Sequence, residues 1–280
     1  MPGCASVEAD SLSSCVDSDK KLTRPGRRRP SSKSGGAADH DARPAKRPTR
    51  ESRLTHGLET TRTGTLSELL RRLHYVQAPR ILLQIMAQLW HAYDGKELLC
   101  PTYDALETFA GAMNVTKALR DRGLLAVGFE KRLHPLHHDF LSSHGFLHAL
   151  TLAMRLEDGA FTMHAPVCSS WVWINRSVSL RTISFPLGDR SNASVEAGNI
   201  MVSRLVLLVL VLLSRGCWVV IEQPLNSVMQ YHPRFQWMLQ VHSWWRIVLD
   251  MGAFGADTQK PTVLFSSKEI IRGINGLRTR

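Results

Sequence analysis

The chain has 280 residues, of which 44% are hydrophobic and 7% aromatic, and its formal net charge is +11 at pH 7. This length allows one large or two small domains, and the apolar share is that of an ordinary globular protein. The positive charge favours polyanionic partners such as nucleic acid, although a basic soluble protein explains it as well. Five scattered cysteines without a CxxC pair, and no evident signal peptide, predict a reducing, intracellular compartment and argue against a disulfide framework.

Residues 1–63 are predicted to form a disordered basic tail. They are rich in Ser, Pro, Gly and Arg, and carry 13 Lys or Arg against 8 Asp or Glu. Every aromatic residue of the chain lies at or beyond Tyr75, so the tail has little with which to build a core. Basic clusters at 20–29 and 43–50 are similar to nuclear-import signals and predict a nuclear location, although a disordered tail alone also explains them.

Two helices are predicted over residues 64–99. Thr65-Leu-Ser-Glu68 has the form of a capping box, and the leucines that follow recur at helical spacing. Pro79 interrupts this pattern, and a second apolar helix is expected from Ile81 to His91. We expect this segment to pack on the following domain as an entry element.

Beyond residue 100 the pattern alternates between strands and helices. The predicted strands cover 103–109, 124–129, 160–165 and 217–221, the helices between them cover 115–121, 140–156 and 199–214, and a final pair of strands covers 251–254 and 262–266. Such alternation is typical of an α/β domain whose mostly parallel sheet is covered on both faces. One α/β domain over residues 100–280 is therefore expected.

The strongest apolar run extends from Leu205 to Leu213. This run is nine residues long and lies between Arg204 and Arg215, whereas a membrane span needs about 20 apolar residues. A buried core helix is the better interpretation, and no stable membrane insertion is expected. A membrane-associated protein built around this run is kept as a third hypothesis.

Chemistry-bearing residues follow the first two predicted strands. Glu107-Thr-Phe-Ala-Gly111 closes a strand and opens a helix, where a glycine permits close approach of the backbone and free N–H groups can bind a polar ligand. An ordinary glycine in a turn is the alternative. Glu130 follows the next strand at about the 20-residue separation at which βαβ nucleotide folds place the acid that binds ribose hydroxyls. The alternative for Glu130 is a solvated acid beside Lys131 and Arg132.

A cysteine lies on a predicted tight loop after the third strand, in Ala165-Pro-Val-Cys168-Ser-Ser170. The ends of such strands face the crevice where open α/β sheets bind ligands, although a lone thiol there is more often structural. Downstream, Glu222-Gln-Pro224 ends the next predicted strand.

Three histidines, His134, His137 and His138, form a small cluster. No cysteine or carboxylate pattern accompanies them at the spacing of zinc ligands, so no metal site is expected.

The order of these stretches resembles the core of the cytosine-C5 DNA methyltransferases. That family carries an acidic-x-Phe-Ala-Gly turn, a Gly-Pro-Pro-Cys-Gln loop and a Glu-Asn-Val strand end. The matching stretches here are Glu107–Gly111, Ala165–Ser169 and Glu222–Pro224. Residues 252–262 are similar in placement to the family's later Tyr-Gly-x-Pro-Gln segment. The resemblance covers about residues 103–266.

The resemblance implies a Rossmann-like domain that transfers a methyl group from S-adenosylmethionine to a nucleobase. Cys168 would be the nucleophile that adds to C6 of cytosine, and Glu222 the acid at the ring nitrogen. In duplex DNA the base would be flipped into the pocket. The residues implied around the cofactor are Glu107, Phe109, Ala110, Gly111 and Glu130.

The chain also departs from the family. Val167 replaces the second proline, Ser169 the glutamine, and Met113-Asn114 stands where a second glycine is usual. No Arg-x-Arg element is present over 251–266, and the 14 residues after Ser266 have no room for a target-recognition domain. A protein partner that supplies recognition is one expectation. A catalytically silent nucleic-acid-binding protein that retains the fold is the alternative function.

Overall fold

A six-stranded sheet, in the order β2-β1-β3-β4-β6-β5, forms the centre of the protein. The computed structural model describes residues 64–255, 257 and 259–277, and the tail predicted over 1–63 lies outside them. Strands β1 to β4 run parallel, whereas β6 is antiparallel to both of its neighbours. The predicted α/β class and mostly parallel sheet are therefore confirmed. The strands are β1 (Tyr103–Thr108), β2 (Ala126–Phe129), β3 (Leu156–His164), β4 (Trp218–Pro224), β5 (Trp245–Asp250) and β6 (Pro261–Ser266).

Helices connect these strands and cover the sheet. They are α1 (Leu66–Tyr75), α2 (Arg80–Ala92), α3 (Gly95–Leu98), α4 (Asn114–Arg120), α5 (Ser143–Met154), α6 (Arg176–Ser179), α7 (Ala193–Ser214) and α8 (Pro233–Val241). Short 3₁₀ helices lie at Trp173–Asn175, Val228–Tyr231, Met251–Phe254 and Glu269–Leu277.

The entry segment is helical, as predicted. The Thr65 side chain caps α1 by accepting a hydrogen bond from the Glu68 N–H at 3.1 Å. The Glu68 carboxylate does not complete the box in the expected way, because it binds the guanidinium groups of Arg71 and Arg72. The buried face of α1, which includes Leu69 and Leu73, joins the main core.

Helix α7 runs through that core. Asn192 caps it, so it begins six residues before the predicted start. By length and composition alone α7 could cross a membrane, yet 67% of its most apolar stretch is buried within the protein. Leu205 and Leu208 have no exposed surface. The core-helix interpretation of this run is therefore confirmed.

The strand predicted over 251–254 is wrong. Those residues form a 3₁₀ helix, because the Asp250 carboxylate accepts hydrogen bonds from the Gly252 and Lys260 N–H groups and turns the chain. The strand that pairs with β6 at this edge of the sheet is β5, in which Trp245, Ile247 and Leu249 alternate with more exposed residues. Helix α8 was not predicted at all.

Gly145 marks the closest approach of α5 to the loop before it. A Cβ atom at this position would overlap the Asp139 backbone carbonyl. We expect Gly145→Ala to lower the free energy of unfolding by about 1–3 kcal/mol, because the backbone cannot move as a flexible side chain does. Gly273→Ala is the control, since nothing lies within 4 Å of a Cβ there. Urea unfolding measures both, and a gain in stability for Gly145→Ala would contradict this packing.

Candidate functional site

A topological switch point lies at the carboxyl ends of β1 and β3, where the segments that follow the two strands turn in opposite directions along the sheet. Strand β1 lies between β2 and β3, so the chain leaves β1 on one side to form β2 and crosses to the other side for β3. Open α/β sheets bind ligands in the crevice that this divergence creates. The two strand ends remain linked, because the Ala165 N–H donates to the Thr108 carbonyl at 3.3 Å. Two of the predicted site stretches, the turn at 109–111 and the cysteine loop at 165–170, therefore begin side by side.

The turn after β1 is held in an unusual conformation. Phe109, Gly111 and Met113 have φ angles of 56°, 52° and 59°, in the left-handed region. Non-glycine residues in this region cost energy and are concentrated at functional sites. The Met113 N–H donates to the Ala110 carbonyl at 2.7 Å, and the Phe109 ring packs edge-on against Phe140 at 4.9 Å. Met113 thus adopts a left-handed backbone conformation that glycine favours, although it is not a glycine.

Glu130, at the end of β2, contacts this turn directly. Its carboxylate accepts a hydrogen bond from the Gly111 N–H at 2.8 Å and another from the Arg132 N–H at 3.0 Å. Its own N–H donates to His138 Nδ1 at 3.2 Å. The structure therefore brings together Gly111 and Glu130, two residues that the sequence assigns to one site.

Glu107 faces a different partner from the one expected. The side chain is buried, and one carboxylate oxygen accepts hydrogen bonds from the N–H and the hydroxyl of Thr116, at 2.7 and 2.6 Å. Because Thr116 belongs to α4, this pair fastens the helix to β1. In this structure Glu107 therefore links β1 to α4, the two elements that flank the turn.

The cysteine loop is a tight turn. The Cys168 carbonyl accepts hydrogen bonds from the N–H groups of Trp171 and Val172, at 2.8 and 3.2 Å. The Cys168 thiol is free and half-buried, while the Val167 side chain beside it is 52% exposed. The thiol is therefore neither paired in a disulfide nor fully buried.

Gln223 anchors this loop, and sequence reasoning missed its role. Its side chain is buried, and its amide nitrogen donates to the Pro166 carbonyl at 2.7 Å. The Ser227 hydroxyl donates to the amide oxygen at 2.9 Å. A buried amide with both ends satisfied holds a loop rigidly. The available signal was the glutamine between Glu222 and Pro224, at a strand end that follows an apolar run.

Glu222 lies on the opposite face of β4 from Gln223, because side chains alternate along a strand. Its carboxylate forms an ion pair with the Lys260 ammonium at 3.1 Å, just before β6. Among the residues described, the charged partner of Glu222 is therefore Lys260. Gln223, not Glu222, links β4 to the cysteine loop. Lys260 could not be found from sequence, because β6 returns antiparallel beside β4 only in the folded sheet.

A cavity of about 540 Å³ lies between the segment after the cysteine loop and the segment after β4. Its walls include Trp171, Trp173, Arg176, Leu225 and Tyr231. Trp171 is fully buried, whereas Trp173 is 63% exposed and carries the Arg176 guanidinium 4.4 Å from its ring centre. The cavity has the size and the largely apolar lining of a small-molecule site.

His164 links the carboxyl ends of β1 and β3. Its ring is fully buried, with Nδ1 2.7 Å from the Thr108 hydroxyl and Nε2 3.0 Å from the Thr162 hydroxyl. Burial lowers the pKa of His164 from its ordinary 6.5 to about 3. The ring is therefore neutral at pH 7, so it can donate to one hydroxyl and accept from the other.

This histidine is expected to destabilise the fold in acid. Between pH 6.5 and about 3 the unfolded chain binds a proton at His164 that the folded chain does not, so the free energy of unfolding falls as the pH falls. His164→Asn removes that contribution and should flatten the slope of stability against pH, measured by urea unfolding. The exposed His74→Asn is the control. Equal slopes in wild type and His164→Asn would contradict the buried neutral state.

In comparisons with protein-family models, curated proteins and solved structures, no match to this chain was found.

Proposed function

We propose that this chain is an S-adenosylmethionine-dependent methyltransferase of the cytosine-C5 type, built on a Rossmann-like domain, with Cys168 as its nucleophile toward a nucleobase. The observation that carries the proposal is the 2.8 Å hydrogen bond between Gly111 and Glu130 at the switch point, beside the loop of Cys168. The four parallel strands support it, because β2-β1-β3-β4 corresponds to the central strands 2-1-4-5 of the Rossmann order 3-2-1-4-5-6, without its two outer strands.

The residues around the turn fit the cofactor. The Glu130 carboxylate is already oriented by two backbone N–H groups, and its remaining lone pairs suit the two hydroxyls of a ribose. Phe109, Ala110 and Gly111 provide the backbone that approaches the ligand closely. When bound there, S-adenosylmethionine supplies an electrophilic methyl group.

The neighbouring loop fits a planar, electron-poor ring. Cys168 is a half-buried thiol held on a turn that Gln223 fixes. The cavity lined by the residues that follow this loop does not include Cys168 in its walls, but it has aromatic side chains and arginines, on which unpaired bases stack. In duplex DNA the target base would have to leave the stack to reach this thiol. The net charge of +11 favours such a polyanionic substrate.

Calorimetric titration of the full chain with S-adenosylmethionine tests the cofactor assignment. We expect a single binding site, and we expect Glu130→Ala to weaken it by about 10- to 100-fold, because two charge-assisted hydrogen bonds are lost. Glu157→Ala is the control: it removes a glutamate carboxylate too, an exposed one near the amino end of β3, away from the crevice. Absence of binding at millimolar cofactor would overturn the proposal.

One observation favours a second function, a catalytically silent nucleic-acid-binding protein with the same fold. Lys260 neutralises the Glu222 carboxylate that the reaction would use, as a structural ion pair does. This function predicts salt-sensitive retention on DNA without methyl transfer. Methyl transfer from the labelled cofactor to DNA would exclude it.

A further inference from the structure

Five histidine side chains form a cluster near Glu130, of which the sequence predicted only three. The loop after β2 contributes His134, His137 and His138, and helix α5 contributes His144 and His148. Ring centres are 4.6 Å apart for His134 and His138 and 5.0 Å apart for His137 and His144. Within the described ranges, no three His, Cys, Asp or Glu side chains are arranged to hold a metal ion. The cluster therefore calls for another explanation.

His138 lies at the centre of this cluster and is nearly parallel to two neighbouring rings. The Phe129 ring is 4.5 Å away at an interplanar angle of 18°, and the His148 ring is 5.4 Å away at 14°. These two rings are only 6.2 Å from each other, so they contact His138 from adjacent directions. Its Nδ1 is directed at the Glu130 N–H, 3.2 Å away. Since Nδ1 accepts this hydrogen bond, the neutral ring carries its proton on Nε2.

We propose that His138 is the positioning residue of Glu130: its Nδ1 lone pair accepts the Glu130 N–H and so orients the carboxylate that holds Gly111 at the switch point. This inference rests on the proposed function, in which Glu130 binds the cofactor ribose. The chain of contacts runs from the His138 ring through Glu130 to the Gly111 N–H. His138 itself need not touch the ligand.

The surroundings of His138 keep that lone pair available. Burial, and then the charges of the neighbouring imidazoles, lower the pKa of His138 from 6.5 to about 4, and this outweighs a backbone hydrogen bond with Glu130 that raises it. Two other charged groups of the loop, Lys131 and Asp139, form an ion pair at 2.9 Å. Arg204 of α7 reaches the same loop and donates to two of its backbone carbonyls. At neutral pH the ring is therefore an acceptor. Protonation at Nδ1 would remove the acceptor.

Two variants separate positioning from simple packing. His138→Ala removes the acceptor and the stacked ring. His138→Asn also removes the ring but places an amide oxygen close to the position of Nδ1, and it cannot titrate. We expect His138→Ala to weaken S-adenosylmethionine binding by about tenfold, because one buried N–H loses its partner, and His138→Asn to restore most of that loss. Calorimetry at pH 7 measures the affinities.

The pH profile and the backbone amides give two further readouts. Wild-type affinity should fall more steeply than that of His138→Asn as the pH drops toward 4. In ¹⁵N-labelled full-length protein without cofactor, His138→Ala should shift the amide signals of Glu130 and Gly111, and His138→Asn should return them toward wild type. The exposed His91→Asn, on α2, is the control for loss of a histidine far from the crevice.

The outcomes distinguish this inference from the proposed function. If no form of the protein binds S-adenosylmethionine but the amides of Glu130 and Gly111 respond as described, the cofactor assignment fails and the positioning role stands. Unchanged amide signals in His138→Ala would overturn the positioning role. So would parallel pH profiles in wild type and His138→Asn. If His138→Ala does not fold, the comparison of wild type with His138→Asn decides.

Discussion

Cys168→Ser is expected to abolish covalent trapping of an oligonucleotide that contains 5-fluorocytosine. In the proposed reaction the Cys168 thiolate would form a bond to C6 and place the displaced electron pair on C5, and S-adenosylmethionine, when bound, would supply the methyl group that C5 takes. Loss of the C5 proton then expels the thiolate. With fluorine at C5 this last step is blocked, so the oligonucleotide stays attached. A serine hydroxyl is a much weaker nucleophile, and removal of a nucleophile typically costs at least on the order of 10³-fold in rate.

A denaturing gel measures the adduct, and transfer of a labelled methyl group to DNA measures turnover. Cys100→Ser is the matched control, because it removes an exposed thiol before β1 and should leave both signals unchanged. An adduct that survives in Cys168→Ser would mean that another group is the nucleophile. Retention of DNA at low salt with no adduct in the wild type would favour the silent binder.

Leu208→Ala in the middle of α7 is expected to be the most damaging single change to stability. The Leu208 side chain is fully buried, so its truncation leaves a cavity and should lower the free energy of unfolding by about 2–5 kcal/mol. Ile200→Ala on the same helix is the control. Ile200 is 40% exposed, and its truncation should cost less than about 1 kcal/mol.

Urea unfolding followed by fluorescence measures both variants, because tryptophans lie throughout the domain. The contrast between the two positions tests whether α7 is a core helix of a folded domain. Equal, small effects would show that the apolar face of α7 is not buried in the protein. That result would favour the membrane-associated hypothesis.

Local patterns predicted the elements around the switch point. Thr65 marks the start of α1, and the alternation before Phe109 predicts β1. The distance from Phe109 to Glu130 predicts one strand–helix–strand unit. Phe109 and Glu130 are only 21 residues apart in the chain, and parallel pairing of the two consecutive strands then brings the turn and Glu130 together.

Contacts between distant segments could not be predicted in this way. Gln223 binds the Pro166 carbonyl across 57 residues, and its place at the end of β4 does not by itself identify that partner. The pleat of β4 places the two side chains on opposite faces. Only the sheet order decides that Gln223 meets the cysteine loop and that Glu222 meets Lys260.

Sequence alone thus determined the α/β class of the domain, its mostly parallel sheet and the strand ends that carry Gly111 and Glu130, because hydrophobic period and strand spacing are local quantities. The tertiary structure decided which residues support that site. Glu107 turned out to fasten α4, Gln223 to hold the loop of Cys168, and His138 to lie against Glu130. These roles depend on which strands and helices become neighbours in space, and that is set by burying one common core.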